Sequence, residues 1–239
     1  MIIDAILYNG ERDIFDLRYN ILKDYVDEFV VVEFGETFSG NKKEAHPINL
    51  PKVSYHFFTH TKDLKSDTPQ LFQQEYNQRE MIKNCLMHLD KFDVVIVGDC
   101  DEIWNPVALE LDYFQKLRLK PYTYWLNNRS NEDFPLGPYM GCWESMREKS
   151  LNELRSKLPL TEGYYGWHFT NMGGEETLKY KVRSYSDQQF NIPVVHENIP
   201  KGLKHNMDYL GRDFKLWVDE SELPEEIINN RKKYKHLLK

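Results

Sequence analysis

The chain has 239 residues, of which 41% are hydrophobic, 14% aromatic and 29% charged, a composition that supports one buried core and excludes disorder, collagen and repeat arrays. Lys and Arg number 31 against 38 Asp and Glu, and a net charge of −7 argues against an extended nucleic-acid groove. No apolar run reaches the roughly 20 residues that span a bilayer, the opening MIIDAILYNGERD has no basic leader or small-residue cleavage site, and Cys85, Cys100 and Cys142 lack paired spacing, so a soluble, cytoplasmic chain with reduced thiols is expected.

In chain order, residues 2–7 form an apolar run broken only by Asp4 and read as a first strand, followed by the turn Tyr8-Asn9-Gly10. Asp13 then serves as N-cap of a helix over 14–26, with Ile14, Leu17, Ile21 and Tyr25 on one face. Residues 29–33, FVVVE, make a continuous apolar run of the kind found in strands covered on both sides, and 53–58 read as a third strand. A polar loop over 59–69 precedes a long helix over 70–89. Residues 94–98 are the fourth and most apolar strand, and 122–126 a fifth. Ser145 to Glu148 reads as a capping box opening a helix that carries Met146, Leu151, Leu154 and Leu158 and stops at Pro159. Pro200, Lys201 and Gly202 read as a loop able to close on a ligand, and 217–239 as a terminal helix. Its Arg231, Lys232, Lys233, Lys235 and Lys239 form either a solvated helix end or a weak contact with an anionic membrane surface. Strand and helix alternating in this way predict a single α/β domain with a Rossmann-like, mostly parallel sheet flanked by helices, whose ligands bind beyond the carboxyl ends of the strands.

The sharpest motif is VVIVGDCDEIWNP, residues 94–106. In an extended segment Asp99 and Asp101 point the same way, and two carboxylates aimed together call for a cation, with Mg or Mn suited to oxygen ligands and a diphosphate as the natural third party. A calcium-loop pattern counted from Asp99 fails, because Trp104 stands where the turn requires Gly. On the 70–89 helix, Glu75 and Arg79 share the apolar stripe of Ile82, Leu86 and Leu89, and Arg18 lies on the stripe of the first helix. Such charges form buried salt bridges or position a nucleotide and its phosphates. Glu33, ending the second strand, stands where a nucleoside hydroxyl or base edge could be read. In GYYGWHFTNMGG, residues 163–174, His168 is a candidate metal ligand and the four glycines permit a backbone that closes over a ligand.

Taken together, YNGERDIFDLRYNILKDYVDEFVVVEFGETFSG, EYNQREMI, VVIVGDCDEI and GWHFTNMGG, in this order, resemble glycosyltransferase family 17, which includes the bisecting β-1,4-mannosyl-glycoprotein N-acetylglucosaminyltransferases. The resemblance spans residues 4–185 and implies a GT-A-type fold, a UDP-sugar donor (UDP-N-acetylglucosamine in the characterised members), a Mn or Mg ion, a carbohydrate acceptor and inversion at the anomeric centre. It also implies that Asp99 and Asp101 belong to the acidic metal-nucleotide motif, that His168 belongs to a Gly-Trp-His motif, and that Asn9, Glu11, Arg18, Glu33, Glu75 and Arg79 lie in the donor-binding blocks. Residues 1–126 would then be a nucleotide-sugar half, 127–200 an acceptor and catalytic half, and 201–239 a C-terminal loop and helix. SYSDQQFN, residues 184–191, departs from the family's His- and Glu-rich segment.

Inverting transfer needs a carboxylate base beside the acceptor hydroxyl. Glu144, Glu175, Glu176 and Asp187 are the candidates, with Glu175 and Glu176 favoured because Gly173-Gly174 could bring that backbone close to the substrate. Two other classes remain open on the sequence: a nucleotidyltransferase, for which Asn9-Gly10-Glu11-Arg12 is a poor phosphate loop, and a non-catalytic carbohydrate-binding module built on the aromatics.

Overall fold

The computed structural model describes residues 1–59, 72–112 and 114–239. Strand β1 (Ile2–Tyr8) leads into helix α1 (Arg12–Leu22), followed by β2 (Glu28–Phe34), β3 (Val53–Phe58), α2 (Gln73–Cys85), β4 (Val94–Asp99) and β5 (Glu102–Trp104). Next come β6 (Gln115–Thr123), β7 (Asn128–Ser130), β8 (Tyr139–Cys142), the short helix α3 (Trp143–Met146), α4 (Leu151–Lys157) and β9 (Leu160–Thr170). The chain closes with α5 (Gly174–Ser184), α6 (Pro193–His205), β10 (Leu216–Val218) and α7 (Glu225–Asn229). The loop expected over 59–69 and the helix start expected at Gln70 fall, from residue 60 onward, outside the described residues.

One sheet runs β10-β7-β6-β8-β4-β1-β2-β3, with β9 beside β6 and β5 beside β9. β3, β2, β1 and β4 pair in parallel, as the strand-helix-strand rhythm of the first half predicts. From β8 onward the path turns antiparallel, a pairing that needs no helical crossover between neighbours. β6 with β9 is parallel again.

Both faces of the parallel half are covered, and the period of two shows in how side chains divide. Ile6, Phe29, Val31 and Ile96 join the core beneath α1, whereas Ile3, Ala5, Leu7, Val30, Val32, Val95 and Val97 join the core beneath α2 and α4. A third cluster packs Tyr124 against Leu178 and Val182 of α5 and Val195 and Ile199 of α6. No helix among the described residues is long and apolar enough to cross a membrane.

Several boundaries differ from the sequence expectation. Helix α1 follows Glu11 and ends at Leu22, so Asp13 lies in its first turn and Tyr25 is exposed beyond it. The fifth strand expected over 122–126 ends at Thr123, and the next residue, Tyr124, takes φ 70°. The helix is capped by Ser150, not by a Ser145–Glu148 box: Ser150 Oγ accepts from the Glu153 amide and opens α4. Pro200 lies inside α6, so the segment read as a closing loop is helix, and the terminal segment forms only the five-residue α7 with turns around it. In the basic tail, Arg231 pairs with Glu220 and Lys233 reaches Glu226, so part of its charge is balanced within the fold.

The glycine-rich 163–174 segment is likewise not a flap. Most of it is β9, and Gly166, at φ 151°, lies so close to β5 that a Cβ would stand 2.3 Å from the Ile103 carbonyl oxygen. Glycine is needed there for backbone contact between two strands.

Candidate active site

In the order β3-β2-β1-β4 all strands run parallel, but the order in which they are added reverses at β1, with β2 and β3 on one side and β4 on the other, which makes the carboxyl ends of β1 and β4 the topological switch point. A cleft of about 350 Å³ opens there. Asn9 and Glu11 after β1, Asp99 and Asp101 after β4, His168 on β9, Lys181 on α5 and Asp187 beyond it all line this cleft.

The turn after β4 is built on buried ions. Arg18 and Asp4 are fully buried and joined by two hydrogen bonds of 2.7 and 2.6 Å, and the Trp104 indole N–H donates to the same carboxylate. The remaining guanidinium nitrogen of Arg18 donates to the carbonyls of Asp99 at 2.9 Å and Glu102 at 2.8 Å. Arg18 therefore braces the turn from inside the protein and is not open to a nucleotide, which corrects the donor-binding expectation. Its other reading from sequence, a buried salt bridge, is the one the geometry carries.

Above this brace, Asp99 is enclosed by arginines. Arg79 donates to Asp99 Oδ1 at 2.9 Å and Arg155 to Oδ2 at 2.8 Å. Arg155 also holds the buried Glu102 through two bonds, of 2.8 and 2.9 Å, and Arg79 reaches Glu75 at 3.2 Å and Asn152 at 3.0 Å. Glu75 in turn accepts from Ser186 at 2.8 Å. Burial works to raise the Asp99 carboxyl, but the Arg155 and Arg79 charges outweigh it and hold the group below the usual carboxylate range. Asp99 is consequently neutralised by two buried arginines, while its own side chain, 33% exposed, still borders the cleft.

Asp101 is different because β4 ends at Asp99 and residues 100 and 101 form a turn, so the period-two alternation that would align the two carboxylates stops between them. Its neighbours come from the far wall. The Asp101 carbonyl accepts from the Phe169 amide at 2.9 Å, and β5 pairs Glu102 with His168, which brings the imidazole beside the carboxylate. His168 Nε2 stands 3.7 Å from Asp101 Oδ1, and Lys181 Nζ donates to Oδ2 at 3.1 Å. Against the desolvation that opposes it, Lys181 and then His168 hold Asp101 far below its ordinary range, and Asp101 in return raises both the Lys181 ammonium and the His168 imidazolium.

The remaining expected residues divide cleanly. Asn9 and Glu11 are at the cleft, where the Asn9 amide donates to Glu11 at 2.7 Å; desolvation and the nearby Asp101 charge push the Glu11 carboxyl up. Glu33 is fully buried and saturated by Lys43 at 2.5 Å, by the His46 amide and ring at 2.9 and 2.7 Å, and by the Tyr55 hydroxyl, so no edge is left to read a nucleoside. Among the candidate bases, Glu144 pairs with Arg147 on α3, beside β8 residues that register with the opening of β4, at the end of the sheet opposite the cleft. Glu175 and Glu176 lie in the first turn of α5, both engaged with Lys179 at 2.6 and 3.3 Å, outside the cleft. Only Asp187 of the four lines it, with its carboxyl raised by burial and by the Glu75 charge.

Arg155 and Lys181 are the residues that sequence reading missed. Both carried a legible signal: Arg155 shares a stripe with Leu151, Leu154 and Leu158, and Lys181 stands on α5 between the buried Leu178 and Val182. A cation set in an apolar stripe marks a buried partner on these helices just as it does for Arg18 and Arg79.

A single α/β domain, with its cleft at the switch point and acidic residues on the strand end that borders it, is the architecture expected of a GT-A-like sugar transferase. None of the curated proteins compared with the chain matches it. The family model described as glycosyltransferase family 17 matches residues 1–128, the stretch that contains β1 to β4, both cleft aspartates and the Arg18 brace, and covers more than half of the 239 residues. The chain belongs to glycosyltransferase family 17.

Proposed function

We propose that this glycosyltransferase moves a hexose, N-acetylglucosamine by family resemblance, from a UDP-sugar in the β1/β4 cleft to a carbohydrate hydroxyl, with inversion. The observation that carries the reading is the convergence of Asp101, His168, Lys181 and Asp187 on one cleft at the switch point. In the reaction the acceptor oxygen bonds to the anomeric carbon as the bond from that carbon to the diphosphate oxygen breaks. Asp187 is the candidate that takes the acceptor proton, because it is the only expected base at the cleft and accepts no side-chain hydrogen bond among the described residues. Lys181 supplies positive charge on the diphosphate side.

A divalent ion fits one part of the motif. Asp101 Oδ1 and His168 Nε2 face each other at 3.7 Å, too far apart to hydrogen-bond, and a carboxylate with an imidazole suits Mn or Mg. Among the described residues no three His, Cys, Asp or Glu side chains are grouped to hold an ion, so diphosphate and water would complete its coordination. When bound, the ion would act as Lewis acid for the leaving diphosphate. Three free thiols, Cys85, Cys100 and Cys142, suit a reducing compartment and hence a cytoplasmic site of action.

The test is UDP release from UDP-N-acetylglucosamine, with Mn or with a chelator. The reading expects release by the wild type and loss of it in Asp101→Ala at unchanged fold. A wild type that releases no nucleotide from any UDP-, GDP- or dTDP-sugar would refute it.

A further inference from the structure

Three basic side chains line the cleft, His168, Lys181 and Arg212, and they are not equivalent. Arg212 is spent on Asp208, at 3.0 Å, and Glu132, at 2.8 Å. Lys181 has one carboxylate partner, Asp101, and donates also to the Thr170 hydroxyl at 3.0 Å. An ammonium carries three donors, so one is left without a protein acceptor among the described residues. Its side chain is 37% exposed, against 1% and 7% for Arg79 and Arg155, which hold Asp99 from inside the protein. Lys181 also reaches Asp101 from α5, across the cleft from β4, on a four-carbon stem.

The ammonium takes Asp101 Oδ2 while Oδ1 faces His168. A divalent ion on Oδ1 and an ammonium on Oδ2 would be two like charges sharing one carboxylate, and at so short a separation they repel even near a protein surface. The diphosphate of a donor offers the lysine a second anionic partner within the same cleft.

We propose that Lys181 is a tethered placeholder: it neutralises Asp101 in the empty cleft and moves to the diphosphate when a nucleotide enters, so that Asp101 accepts a divalent cation only then. Nucleotide and cation binding are thereby coupled through one side chain. The inference rests on the proposed reading of the cleft as a UDP-sugar site, and its two halves are separately measurable.

Mn titrations of the full chain, followed by the electron paramagnetic resonance of free Mn, are run with and without UDP on the wild type, Lys181→Met and Lys181→Arg, each first checked for an unchanged unfolding midpoint. The wild type is expected to bind Mn about tenfold or more tightly with UDP than without it, within the usual range of coupling between sites. Lys181→Met is expected to tighten Mn binding in the absence of UDP and shrink the coupling, while Lys181→Arg keeps it. UDP titrated calorimetrically in the presence of EDTA tests the other half: its affinity is expected to fall about tenfold in Lys181→Met. Unchanged or weaker Mn binding in UDP-free Lys181→Met, or an unchanged UDP affinity in EDTA, overturns the placeholder. A wild type that binds UDP in EDTA through Lys181 yet never binds Mn refutes the cation part of the functional reading and, with it, the coupling. A wild type that binds no UDP under any condition refutes both.

Discussion

Asp99 and Asp101 are two residues apart and both border the cleft, yet one is tied into the fixed half of the molecule and the other is reached from the opposite wall. The parallel half, β3-β2-β1-β4 with α1 and α2, holds its charges as closed sets: Arg18 with Asp4, Glu33 with Lys43, His46 and Tyr55, and Asp99 with Arg79 and Arg155. The wall made by β9 and α5 presents charges only partly matched, Asp101 with Lys181 and a distant His168, and Asp187 with no side-chain donor among the described residues. The contrast shows that an acidic motif is not a unit. Each carboxylate takes its role from which element reaches it: one held by two buried arginines is architecture, whereas one whose direct partner is a single, partly exposed and movable lysine is open to a ligand.

The largest effect should come from breaking the fixed side. Arg155→Met strands the buried Glu102 and half of Asp99, and urea unfolding should show a loss of about 3–5 kcal/mol, the range for removing one partner of a buried ion set. On the open side, Asp187→Asn should lower kcat by about 10²–10⁴-fold with little change in unfolding midpoint, the scale of a lost general base. The sign of the pH dependence follows from the same group. Burial and Glu75 raise the Asp187 carboxyl, and the base must be ionised, so kcat/KM should fall as pH drops through a value above the ordinary Asp range. Glu75→Gln should move that limb to lower pH. The smallest effects sharpen the boundary of the cleft: Glu144→Ala, Glu175→Ala and Glu176→Ala should each change stability by less than about 0.5 kcal/mol and leave turnover near wild type.

How much of this could be read beforehand depends on whether local pattern or tertiary contact decides. The strands 2–8, 28–34 and 94–99 are legible because each is a largely apolar run covered on both faces, whereas 53–58 is a half-buried strand at the sheet edge, and the residues beyond β1 and β4 follow from the sheet's topology. The stripe rule that singled out Arg18 and Arg79 correctly identified charges with buried partners, but only the structure shows those partners to be Asp4 and Asp99 instead of a ligand. The alternation argument set Asp99 and Asp101 on one cleft, which both border, but its premise that the strand continues through residue 101 does not hold, and different elements reach the two carboxylates. The preference for Glu175 and Glu176 rested on a close approach of the Gly173-Gly174 backbone to the substrate, whereas those glycines start α5, whose first carboxylates engage Lys179. Partners separated by 56 or 80 residues, as Arg155 and Lys181 are from the two aspartates, leave a stripe as their only local trace.

The division between the two aspartates is tested most directly by thermal unfolding of Asp99→Asn and Asp101→Asn, each with and without saturating UDP and Mn. Asp101→Asn is expected to lose less stability in buffer than Asp99→Asn, since its direct partner Lys181 is 37% exposed and can be solvated, and to lose the nucleotide-dependent rise, which for the wild type at 100 times the dissociation constant is about 2.7 kcal/mol. Asp99→Asn is expected to unfold at lower temperature because two buried arginines lose their shared anion. An Asp101→Asn protein that keeps the full nucleotide rise, beside an Asp99→Asn protein as stable as the wild type, would contradict the account.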